Sequence, residues 1–108
     1  MALEDWLLPN ENVRFNARKA VDYGGITYDF YLTNERVMLH NRKGVLIKKE
    51  AVIAERLEDI TSMDYKEKGV IKKKGRLIIS TNESKSEWEG KPAALKAIWH
   101  QMQHHTRK

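Results

Sequence analysis

The sequence predicts a mainly β domain with one α-helix: two packed antiparallel sheets, about seven strands curled into a barrel, capped by a C-terminal helix. Three observations carry that expectation. Between residues 12 and 89, apolar and polar residues alternate in short runs, the period of strands buried on one face. Turn signals separate the runs at short spacing: "DYGG" (22–25), "TNER" (33–36) and "NES" (82–84). After Gly90 the period changes. Leu95, Ile98, Trp99 and Met102 stand at i, i+3, i+4 and i+7, a single stripe on an amphipathic helix.

Each element has its own signature. Val13, Phe15 and Ala17 alternate with Arg14, Asn16 and Arg18 in the first strand, and "ITYDFYL" (26–32) is rich in aromatic strand formers. "RVMLHNRKG" (36–44) reads as a third strand ending at Gly44. "VLIKK" (45–49) and "VIAERL" (52–57) read as two short strands. "EDITSMDYKEKG" (58–69) leads into a strand with Ile60, Met63 and Tyr65 as its apolar members. "GRLIIST" (75–81) and "SKSEWEG" (84–90) close the series. Pro92 suits the first turn of a helix over 92–105, where its missing N–H costs nothing. That helix must lay its stripe on something, and the open end of a barrel supplies it.

The 108 residues suit one domain, 1–108, with enough chain for one core. An apolar fraction of 41% and three tryptophans argue for a globular chain rather than a disordered one. No apolar run approaches the ~18 residues of a membrane span. "MALEDWLLPNE" carries acids and no basic n-region, unlike a secretory signal. The absence of cysteine excludes disulfides, a thiolate nucleophile and a cysteine zinc site. A cytoplasmic protein is expected, with peripheral attachment at the inner membrane face as the variant. The net charge of +5 is concentrated: residues 66–76 hold six Lys/Arg against one acid, Glu67, while 14 basic and 14 acidic residues cancel elsewhere.

A small barrel followed by one terminal helix resembles the pleckstrin-homology (PH) fold, and three stretches are similar to the bacterial PH domain family. They are "LLPNENV" (7–13), "FYLTNERVML" (30–39) and "RLEDITSMDY" (56–65). They match a leucine–(Pro/Gly)–Glu opening, a Leu-Thr-x-x-Arg hairpin and a Leu-x-Asp-Ile step. Their order and spacing carry the likeness, which with the helix covers nearly the whole chain. The resemblance implies a PH-like barrel, no reaction, and in some relatives association into symmetric oligomers. Thr33 and Asn34 have side chains suited to capping the "LTNERV" turn, and Asp59 can accept backbone N–H bonds where a strand begins. The phosphate clasp of eukaryotic PH domains uses a late first-strand lysine and an arginine motif in the second strand. Arg18 and Lys19 match the first part. "TYDFYL" (27–32) has no basic residue, and Asp29 would repel phosphate, so a stereospecific head-group pocket is not expected.

Chemistry-bearing constellations are sparse, and no catalytic, cofactor or metal residues are expected. Of His40, His100, His104 and His105, the pair His100/His104 has zinc-ligand spacing, but Gln101 stands where HExxH has its glutamate. A solvated helix end is the simpler reading. Glu55, Glu58 and Asp59 imitate a carboxylate pair yet alternate along a strand and its exit. No Walker loop, G-x-S-x-G or G-x-G-x-x-G occurs. Trp99 and Trp88 read as core, and Trp6 as a staple of the amino terminus to the barrel.

"EKGVIKKKGR" (67–76) is the candidate contact, with Lys66, Lys68, Val70, Ile71, Lys72, Lys73, Lys74 and Arg76, and Arg18 and Lys19 are secondary. Glycines at both ends permit a hairpin, and lysines keep its edges from pairing. The pair Val70–Ile71 instead suits a buried strand, a tip dipping into an anionic membrane, or a protein interface. The sequence thus points to a non-catalytic adaptor acting by protein contact or self-association, a homo-oligomer included. The alternative is peripheral binding to anionic lipid. Specific nucleic-acid recognition is disfavoured by the lack of a recognition helix or clustered exposed aromatics.

Overall fold

The computed structural model describes residues 6–43, 49–69 and 74–106, with the backbone alone at 42, 43, 49–51, 105 and 106. Strands β1 (Val13–Tyr23), β2 (Ile26–Thr33), β3 (Arg36–Lys43) and β4 (Lys49–Arg56) form one antiparallel meander. A 3₁₀ turn, Leu57–Asp59, leads to a second meander: β5 (Ile60–Lys68), β6 (Lys74–Thr81) and β7 (Lys85–Gly90). Helix α1 (Pro92–Thr106) follows. The hydrogen-bonded order is β4-β3-β2-β1-β7-β6-β5. The two halves meet at one pair, Asp22↔Glu89, so they act as two sheets folded on one another rather than a closed ladder. That is the expected PH-like sandwich, with β4 and β5 as its free edges.

The core fills the space between the halves. Phe30, Leu32 and Leu39 of the first sheet meet Leu77, Ile79 and Trp88 of the second. Phe30 packs edge-on against Trp88 at 6.0 Å and lies 6.2 Å from Phe15. Leu95, Ile98 and Met102 are fully buried where α1 plugs the open end, and Trp99 packs at the margin of the same cluster.

The strand boundaries depart from expectation in one place. β4 runs over Lys49–Arg56 in place of the strand expected over 52–57, and the other short strand expected, 45–49, lies outside the described residues except for Lys49. Eight consecutive pairs with β3, from Arg36↔Arg56 to Lys43↔Lys49, explain why polar Lys49 and Glu50 are strand residues. Ladder hydrogen bonds override weak β propensity. The 3₁₀ turn is closed by the Ile60 N–H donating to the Leu57 carbonyl, a backbone bond in place of the expected Asp59 cap.

β1 keeps its phase through an irregularity. Ala17 pairs with Phe30 and Val21 with Tyr28, so β1 has two residues more than β2 over this interval. An insertion of two preserves the face. Lys19 within it takes φ +49°, and its N–H donates to Asp29 Oδ1 at 2.7 Å.

Candidate functional site: a cationic β-ribbon

The hairpin of β5 and β6 sets Lys66 opposite Arg76 and Lys68 opposite Lys74. Directly opposed residues share a face, and so do residues two apart along a strand. The four cations therefore occupy one face of the ribbon. Lys66, Lys68 and Lys74 are exposed, and Arg76 is half-buried. Val70, Ile71, Lys72 and Lys73, the tip of the expected contact, lie outside the described residues.

The adjoining strand answers some of this charge. Lys74 Nζ lies 3.7 Å from Glu89 Oε2, and Arg76 reaches Glu89 at 3.8 Å and Glu87 at 3.9 Å. Such long, partly exposed pairs contribute about 0–1 kcal/mol each. Among the described residues, no carboxylate forms an ion pair with Lys66 or Lys68.

Glu67, the one acid of the segment, faces the other way. Lys96 of α1 holds its Oε1 at 2.9 Å, and the Tyr65 hydroxyl donates to the same atom at 3.0 Å. Burial, then the bond to Glu67 and its charge, push the Tyr65 phenol up to about 12. The helix thus neutralises the acid and leaves the outer face cationic.

Gly75 is not a hairpin-end glycine, as the sequence suggested; β6 already begins at Lys74. A Cβ there would stand 3.1 Å from both Leu95 Cδ1 and Tyr65 Oη and 3.2 Å from Pro92 Cα. Its cross-strand partner is Gly90, where a Cβ would run into the Ala20 carbonyl. This glycine pair lets the first turn of α1 and the end of the β1 irregularity close onto the sheet. Gly69, by contrast, has the positive φ (+102°) that a hairpin turn requires.

Arg18 and Lys19, the secondary candidates, are exposed on the irregularity, whose Ala20 abuts Gly90. Asp29 anchors the Lys19 backbone by accepting its N–H. Exposed His100 lies edge-on to Trp99 at 5.2 Å, and His104 is exposed on the same helix. No metal-competent group of three His, Asp or Glu occurs among the described residues.

Three features escaped the sequence. Glu11, 7% exposed, receives Arg36 Nη2 at 2.7 Å and Nε at 2.9 Å, while the Thr33 hydroxyl donates to it at 2.6 Å. Thr33 Oγ1 also accepts the Glu35 and Arg36 N–H groups, the expected turn cap. Asn34 joins in through Oδ1, which accepts the Asn12 N–H. The "LLPNEN" and "LTNER" stretches are thereby one clasp. Trp6 is tied in by its carbonyl, which accepts from Arg36 Nη2 at 2.8 Å, while the residue stays 41% exposed.

The second feature is a shallow groove of about 380 Å³ between β5 and α1, lined by Met63, Asp64, Tyr65, Lys96, Trp99 and His100. The buried indole Nε1 of Trp99 has no acceptor. The third is an acidic cleft of about 370 Å³ lined by Glu55, Asp59, Thr81, Asn82, Glu83 and Ser84.

No family model and no curated protein matches the sequence. Solved structures do. A pleckstrin homology domain from Shewanella amazonensis aligns over 98% of this chain and 93% of its own at 17% identity, with a TM-score of 0.71. A DUF1696 family protein with a pleckstrin-homology domain, from Shewanella loihica, aligns over 96% of this chain and 86% of its own at 20% identity, with a TM-score of 0.69. Two sheets joined at one corner and plugged by a terminal helix, in the same arrangement as these two proteins, give this chain a PH-like fold.

Proposed function

We propose that this chain is a non-catalytic PH-like binding module that acts through protein contact, a second copy of itself included, with the β5–β6 ribbon as its anionic-partner surface. The observation that carries the reading is the register Lys66↔Arg76 and Lys68↔Lys74, with Glu67 withdrawn beneath it by Lys96. Lys72 and Lys73 continue the cationic run by sequence, and Arg18 and Lys19 add charge on the neighbouring irregularity. The acidic cleft of Glu55, Asp59 and Glu83 offers a complementary surface on another copy. A head-to-tail contact of that kind forms a ring where its rotation closes and an open filament where it does not. The expected cytoplasmic setting belongs to this same reading; among the described residues no helix is long and apolar enough to cross a membrane.

Light scattering coupled to size exclusion tests it. The wild type should run above monomer mass at low salt, and Lys72→Glu/Lys73→Glu/Lys74→Glu should return it to monomer. A strict monomer at high concentration removes self-association. The four-cation face also favours a second reading, attachment to an anionic leaflet, where each lysine near the surface contributes about 1 kcal/mol. Flotation with anionic and neutral vesicles decides it, because absence of binding to anionic vesicles at low salt eliminates the membrane.

A further inference from the structure

We infer that the exposed edge of β5 takes up an extended segment of a partner protein, added as an eighth strand in the groove against α1, with apolar and acidic residues alternating along it. The inference rests on the proposed protein-contact reading and names the partner's chemistry.

β5 stands at the end of the sheet order and is hydrogen-bonded to β6 alone. A nine-residue edge strand presents a row of N–H and C=O groups away from its partner, a ready template for another chain. β4 is also an edge, but β5 has a second wall. α1 packs beside it, and the groove between them is lined by Met63, Tyr65 and Trp99 together with Asp64, Lys96 and His100. Trp99 contributes a buried indole N–H that has no acceptor among the described residues.

Alternation fixes what an added strand must look like. Met63 and Tyr65 pack toward the core and α1, and Glu67 on that face is taken by Lys96. Asp64, Lys66 and Lys68 point the other way and are exposed. Successive residues of an added strand therefore meet the groove on one side and, on the other, the Lys66–Lys68 pair with Asp64 before it. Apolar side chains suit the first and carboxylates the second. Opposite charges across a strand pair stabilise it, and like charges oppose pairing. The two lysines thus select an acidic strand and reject a cationic one. They also oppose any two-fold β5–β5 register that sets Lys66 and Lys68 against the same lysines of a second copy.

Amide and indole NMR spectra of the full chain, titrated with three synthetic peptides about eight residues long, test this. The first alternates valine and glutamate, the second alternates valine and lysine, and the third is the first with prolines at two central positions. The valine–glutamate peptide should shift the β5 amides, residues 60–68, together with the Trp99 indole resonance, and slow hydrogen exchange along β5. The lysine peptide should not. Proline removes ladder donors, so the third peptide should lose binding. Lys66→Glu/Lys68→Glu, two exposed changes that leave the core untouched, should weaken the valine–glutamate peptide about tenfold. Equal binding of the first and third peptides overturns strand addition. Shifts confined to Lys74 and Arg76 overturn the groove while leaving the anionic ribbon standing. No response to either acidic peptide at low salt overturns both.

Discussion

Glu11 and Arg36 are 25 residues apart in sequence, yet their two-pronged contact ties the segment before β1 to the β2–β3 turn. Both oxygens of Glu11 are occupied, and the Arg36 hydrogen bond outweighs burial to hold its carboxyl down at about 2. The ordinary carboxylate value is near 4.5, so the folded state favours the ionised form. That stability is present above about pH 4.5 and drains away as the pH falls through about 2. Discounted for the solvent at the clasp's rim, it is on the order of 2 kcal/mol. Glu11→Gln should therefore lower stability by about 2–3 kcal/mol at neutral pH, since it leaves a half-buried guanidinium uncompensated. Denaturant titrations across pH 2–5 should be flatter for the variant than for wild type. Equal acid sensitivity would remove Glu11 as the source. Tyr65 gives the opposite arm: its raised value means stability is intact below pH 10 and lost as the pH climbs toward 12, and Tyr65→Phe should abolish that loss. Lys19 offers a gain instead. Its φ of +49° costs a non-glycine residue, so Lys19→Gly should raise stability by about 1 kcal/mol and the melting temperature by about 4 °C.

Elements were legible in proportion to how local their causes are. The stripe Leu95–Ile98–Met102 reads directly because a helix repeats its own face, and all three residues are fully buried. Trp88, alternating between Glu87 and Glu89, is 2% exposed for the same reason in a strand. Gly75 and Gly90 were opaque, because what they permit is set by α1 and β1, which approach them from elsewhere in the chain. The groove against β5 was hidden likewise: which strand lies at an edge depends on the order of the whole sheet. The Lys66–Arg76 register became visible only once β5 and β6 were paired. Gly90→Ala is the sharpest test of the close approach. Its methyl group meets backbone rather than a flexible side chain, so it should cost about 2–3 kcal/mol, measured by denaturant unfolding. Gly75→Ala, whose neighbours include the movable Leu95 side chain, should cost less.

At the scale of the molecule, two sheets joined through a single residue pair depend on what lies between them and on what closes the end. α1 supplies Leu95, Ile98 and Met102 to that core with no exposed surface left on any of them. Fully burying each such side chain contributes about 1.5–3 kcal/mol, so the three together are comparable with the ~5–15 kcal/mol stability of an ordinary domain. The helix is thus part of the fold and one wall of the β5 groove at once. A chain ending at Lys91 should lose cooperative unfolding, bind a hydrophobic dye, and keep only fluctuating strand content by circular dichroism. Ile98→Ala, a milder change, should leave a folded protein destabilised by about 2–5 kcal/mol. A truncated chain that still melts in one sharp transition would mean that the two sheets close on themselves, and the groove would then have no fixed second wall.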